Sequence, residues 1–257
     1  MKLHREATFG EVSNDPLQLG STAIPSIRED GTELAISYLN PGVAALSTCT
    51  TGRGGARNYS NRESHALTAA QVSNLKAAER HADKIGLPFT RMISIHWQAA
   101  GVPLAGMVKA TGRFTDLLAK ALARHGSSTA WLWVQENVPG VSQNKGGHCH
   151  LLAHVPANLV PLVTGLQRGW LRRITRQPYT ARVIHSKPIG GRLGLEAGNP
   201  DLHAANLEAA LAYMVKGASY EAALQFNLRR LDPGGLVIGK RCSTSQNIGA
   251  KARMAED

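Results

Sequence analysis

Acidic residues are scarce in this chain. It carries 18 Asp and Glu against 29 Lys and Arg, a formal net charge of +11. That imbalance points to a polyanionic partner, of which nucleic acid is the usual case. Cysteine is nearly absent. Cys49, Cys149 and Cys242 lie far apart, which excludes a disulfide framework or a zinc finger and fits a reducing cytoplasm. No apolar run approaches the ~20 residues of a membrane span. The opening "MKLHREATFGEVSNDPLQ" has no apolar centre of the signal-peptide kind. A soluble, cytoplasmic protein without membrane partners is the expectation. Internal repeats are missing too. "GGLVIGKR", Gly234 to Arg241, falls short of a phosphate-binding loop because Arg241 stands where a metal-binding hydroxyl is needed. It reads instead as a basic turn near DNA phosphates, or as a solvated tail.

What is present is enough apolar residue, 43%, to build a core. Residues 1–63 lack apolar periodicity, and "TTGRGGARNYSNRES" reads as a flexible or loosely packed extension or a basic arm. Residues 64–220 are patterned. Val72, Leu75, Ala78, Ala82 and Ile85 keep helical spacing, and Gly86 and Pro88 stop that helix. "FTRMISIHW", Phe89 to Trp97, alternates as a strand. "TGRFTDLLAKALARHG" is a helix; "TAWLWVQEN" and "HCHLLAHV" are strands joined as an antiparallel hairpin. "NLVPLVTGLQRGWLRRITR" and "DLHAANLEAALAYMVKGAS" are helices, the latter expected to end near Gly217. Residues 221–257 read as a basic, turn-rich tail. The class is α+β, a central antiparallel sheet flanked by helices.

Within "GGHCHLLAHVP", strand alternation sends His148, His150 and His154 to one face and Cys149 to the other. Two imidazoles at that spacing can reach one cation; they can equally be buried and hydrogen-bonded. A hairpin centred near residue 142 sets Glu136 opposite His148, giving two nitrogens and a carboxylate with coordination positions left open. Glu136 can also be an exposed hairpin-end carboxylate, with Gln135 or Gln143 in its place. His154 suits a supporting role. On the later helix, Leu207, Leu211 and Met214 form the apolar stripe. Tyr213 and Lys216 lie off it, three residues apart, as a phenol beside an ammonium.

Together these residues resemble the HUH endonucleases: rolling-circle replication initiators, relaxases and related transposases. "GGHCHLL" is similar to their two-histidine strand through His148 and His150, and "AYMVKG" to their nucleophile helix through Tyr213 and Lys216. "FTRMISIHW" looks like their first motif but departs from its Thr-rich form. One tyrosine fits, so the likeness is to single-tyrosine members and covers roughly residues 88–220. It implies an HUH/RRM-like nuclease core and nicking and rejoining of single-stranded DNA at a replication or transfer origin. A 5′-phosphotyrosine forms on Tyr213, assisted by Lys216. It also implies Mg²⁺ or Mn²⁺ on His148, His150 and Glu136. No helicase region is visible, so unwinding falls to a partner such as a host helicase. The role belongs to a plasmid, phage or mobile element.

From Gly165 to Arg192 there are seven Lys or Arg and no acid. Arg168, Arg172, Arg173 and Arg176, interleaved with Trp170 and Tyr179, suit a single-strand groove in which rings stack on bases, or a solvated helix face. Trp131 and Trp133 share a strand face and read as core. Two other functions stay open: a non-catalytic nucleic-acid-binding protein of the same fold, and a metal-dependent phosphoesterase in which water attacks.

Overall fold

A capping box starts the first long helix. Thr68 Oγ1 accepts from the Gln71 amide while the Gln71 side chain accepts from the Thr68 amide. The computed structural model describes residues 61–137, 146–189 and 199–255. In chain order these form β1 (Glu63–Ser64), α1 (Ala69–Lys84), β2 (Arg91–Ile95), α2 (Met107–Ala123), β3 (Trp131–Glu136) and β4 (His148–Ala153). Then follow α3 (Val160–Thr175), β5 (Ile184–Pro188), α4 (Pro200–Met214), α5 (Tyr220–Gln225), β6 (Val237–Ile238), β7 (Cys242–Thr244) and α6 (Ala250–Arg253).

Five strands make one antiparallel sheet in the order β5-β2-β4-β3-β7, so the histidine strand is central. Burial on both sides follows strand parity. Cys149, Leu151 and Ala153 pack with Phe114, Leu118, Trp170 and Leu171 of α2 and α3. Leu132, Val134 and Leu152 pack on the other side with Val72 and Leu75 of α1 and Leu207, Leu211 and Met214 of α4. The α+β class with helices on an antiparallel sheet is thus present. No helix among the described residues is long and apolar enough to cross a membrane.

Several boundaries differ from the sequence expectation. The first sheet strand is shorter than Phe89–Trp97, and α2 begins earlier, at Met107, because "MVKA" continues the same face into the core. Helix α4 runs Pro200–Met214 with Asn199 as its cap and stops short of Gly217. The C-terminal segment is not a tail. Strand β7 pairs with β3 through Leu132↔Thr244, Trp133↔Ser243 and Val134↔Cys242, completing the sheet. Arg241, 1% exposed, donates to the carbonyls of Ser64, Gly234 and Gln135. Its guanidinium is spent on backbone, so "GGLVIGKR" offers no Arg241 to phosphate, and β7 rather than a helix follows Lys240. At the other end, Glu63 and Ser64 pair with Ile238 and Val237. The expectation for residues 1–60 lies outside the described residues, as does Cys49.

Candidate active site

The hairpin register sets Glu136 opposite His148 and Val134 opposite His150. Directly opposed residues of an antiparallel pair share a face, so Glu136, His148 and His150 converge. Among the described residues they form the one His/Cys/Asp/Glu group spaced for a metal, with ligand atoms within 4.8 Å of one another. Glu136 is 1% exposed, not a solvated hairpin-end carboxylate. Gln135 is no substitute: it points to the other face, where its Nε2 donates to Thr111 Oγ1 at 3.2 Å. Gln143 lies outside the described residues.

The hydrogen bonds of the imidazoles fit a cation. His148 Nδ1 donates to the Gly146 carbonyl at 2.9 Å, which leaves the Nε2 lone pair facing Glu136 Oε2 at 3.3 Å. A lone pair and a carboxylate oxygen repel at that distance unless a proton or a metal lies between them. His150 Nδ1 bonds Ser94 Oγ at 2.8 Å, and its Nε2, 3.7 Å from Glu136 Oε2, has no hydrogen-bond partner. Glu136 Oε1 is equally unpartnered. Buried polar atoms without partners call for an occupant, and holding the far ring nitrogen by a hydrogen bond is how ligand histidines are oriented. Burial lowers the His150 pKa, keeping it in the neutral form that ligates, although Glu136 pulls the other way. Burial opposes charge on Glu136, but His148, His150 and Lys216 outweigh it and hold the carboxyl well below the usual carboxylate range. Cys149, on the opposite face, has its thiol pushed up to about 12 by burial and is no thiolate. His154 is structural: its Nδ1 donates to the Pro88 carbonyl at 2.8 Å.

Tyr213 comes from α4 and is half-buried, its ring 5.0 Å from that of His150 and edge-on to it. Lys216 lies past the helix end, a correction to the reading that put both on one helix face. The turn nevertheless brings its ammonium 4.3 Å from the Tyr213 ring centre and into contact with Glu136 Oε2. That turn is tight at Gly217: a Cβ there would sit 3.1 Å from Gly234 Cα, so the neighbouring backbone would have to shift. Burial and the Glu136 charge raise the Tyr213 pKa, and Arg230, 5.5 Å from the ring, opposes them.

These groups line a cavity of about 700 Å³. It also contains residues that the sequence reading passed over: Ser94, His96, His185, Lys187, Arg230 and Asp232. His96 stacks on His148 at 5.4 Å and sits 6.1 Å from His185. Burial, with His148 and His185 beside it, pushes its pKa down to about 4. A signal for part of this was available, since Met92, Ser94 and His96 alternate onto one face of the first strand. His185 and Lys187 join only because β5 pairs with β2, through Ser94↔His185 and Met92↔Lys187.

The basic helix does not reach this cavity. α3 packs on the opposite side of the sheet, and Arg168, Arg172, Arg173 and Arg176 are exposed there. Trp170 is 8% exposed and packs edge-on against Phe114 at 5.5 Å, so it presents no open face to a base. Tyr179 is half-buried against the same core, with the Arg168 guanidinium 5.4 Å from its ring centre. Trp133 is buried in that core and Trp131 packs on it, as their shared strand face suggested.

Comparison with protein-family models, curated proteins and solved structures finds no match for this chain.

Proposed function

We propose that this protein is a metal-dependent, HUH-type endonuclease that nicks and rejoins single-stranded DNA, with the sheet as an HUH/RRM-like core. The observation that carries this reading is the meeting of Tyr213 with Glu136, His148 and His150 in one cavity, from two segments far apart in sequence. A divalent cation, Mg²⁺ or Mn²⁺, held by those three residues supplies Lewis-acid polarisation of the scissile phosphate. The Tyr213 oxygen forms the new bond to phosphorus and gives up its proton. The bond from phosphorus to the 3′ oxygen breaks, and that oxygen takes a proton to leave as a hydroxyl, so one strand scission becomes two reversible exchanges. The Lys216 ammonium, over the Tyr213 ring and against Glu136, balances the carboxylate and places a positive charge where the transferring phosphate would sit. Lys187 and Arg230 line the cavity and suit the flanking phosphates. The origin, the replicon and any helicase partner follow from the HUH resemblance alone.

One observation favours a second reading. Burial and Glu136 raise the Tyr213 pKa, which suits a phosphoesterase in which water attacks and the phenol only positions the phosphate. Incubation with circular single-stranded DNA and Mn²⁺, resolved on a denaturing gel, separates the two. The proposed reaction gives a protein–DNA adduct that Tyr213→Phe abolishes while DNA binding persists. Cleavage without an adduct, surviving in Tyr213→Phe, sinks it in favour of water.

A further inference from the structure

We infer that the groove between α2 and α3 docks an acidic, amphipathic segment of a partner protein. This stands independently of the catalytic reading. The groove encloses about 720 Å³ on the side of the sheet away from the histidines. Its floor is aliphatic, formed by Leu117, Ala121, Leu166 and Ile174. Leu166 is 37% exposed there, an apolar side chain on a helix otherwise rich in arginine.

The rims are cationic. Arg113, Lys120 and Arg124 stand on one side, Arg173 and Arg176 on the other. The single acid in the lining, Asp116, is paired with Lys120 at 2.7 Å. The four arginines have no ion pair among the described residues. Four cations around one groove complement an anionic occupant, and the floor says which kind. A nucleic-acid strand gains most from open ring faces on which bases stack, and the ring in this lining, Trp170, is turned edge-on to Phe114 and almost fully buried. Aliphatic side chains spaced along one helix face fit the floor, and carboxylates flanking them meet both rims. The two helices, of 17 and 16 residues, give a bed long enough for such a segment.

The test uses the full chain and a labelled synthetic peptide of about 18 residues, long enough to lie along both helices, with leucines at helical spacing and glutamates elsewhere. Polyglutamate of equal length and an oligo-dT strand serve as comparisons. Anisotropy should show saturable peptide binding, with polyglutamate weaker by about tenfold. Arg124→Glu with Arg173→Glu should weaken the peptide about tenfold, as should Leu166→Glu in the floor. Nicking of a short single strand should be unaffected. Absence of peptide binding, equal binding of polyglutamate, or displacement of the peptide by oligo-dT at matching affinity overturns the proposal, the last in favour of a nucleic-acid surface. A circular-dichroism melt of each variant shows that the fold is intact. If the charge reversal melts the fold, Leu166→Glu and the peptide comparison decide alone.

Discussion

The two faces of the sheet are made by alternate residues of the same strands, yet they are finished differently. On β4, Cys149, Leu151 and Ala153 meet the side chains of α2 and α3, and burial there is mostly apolar, with Gln135, Thr111 and Gln167 among it. On the other face of that strand, Leu152 enters the core under α1 and α4, while His148 and His150 stay polar and closely surrounded. One face keeps Trp133 and Trp170 as packing; the other gathers Glu136, His148 and His150, spaced for a metal ion, with Tyr213 and Lys216 around one cavity. The difference marks the first face as structure and the second as the place for chemistry.

Exchanging the damage between faces should break or confirm that contrast. His148→Ala should remove Mn²⁺ binding, read by calorimetry, and reduce nicking by several powers of ten, with the melting temperature held or raised. Trp170→Ala should do the reverse, costing about 3–5 kcal/mol of stability by chemical denaturation while molecules still folded keep their nicking rate. A catalytic loss in Trp170→Ala at full folding would merge the two faces into one site. Ser94→Ala removes the hydrogen bond that orients His150 and should weaken metal affinity about 10–100-fold, with little change in stability. The smallest contrast concerns charge. Lys187→Glu or Arg230→Glu should lower single-strand affinity by about tenfold and flatten its dependence on salt. Arg173→Glu, on the other side, should leave affinity within about twofold. Equal losses from both sides would put DNA on both faces.

How much of this was legible varied by element. The pairing of Glu136 with His148 was, because a hairpin's register follows from its centre and parity then fixes the face. The stripe of Leu207, Leu211 and Met214 was too, which left Tyr213 off it. The end of α4 was not. Nothing local forbids a further turn before Gly217, yet the helix stops at Met214, and beyond it Gly217 lies close against Gly234, a residue from a distant segment. The arginines of α3 were legible as a basic face but not as to where that face points.

The sequence by itself determined the strands β2, β3 and β4, the helices α1 to α4, the side of each of those strands on which a residue lies, and the candidate ligands. These depend on spacing along one element and on a short hairpin. Only the tertiary structure decided that β7, from the C-terminal segment, closes the sheet, that β5 brings His185 and Lys187 to the histidines, and that α3 covers the opposite face. Strand order and helix placement are chosen by burial among segments far apart in the chain. A periodic pattern states that a face will be covered; which partner covers it depends on every other face competing for the same core.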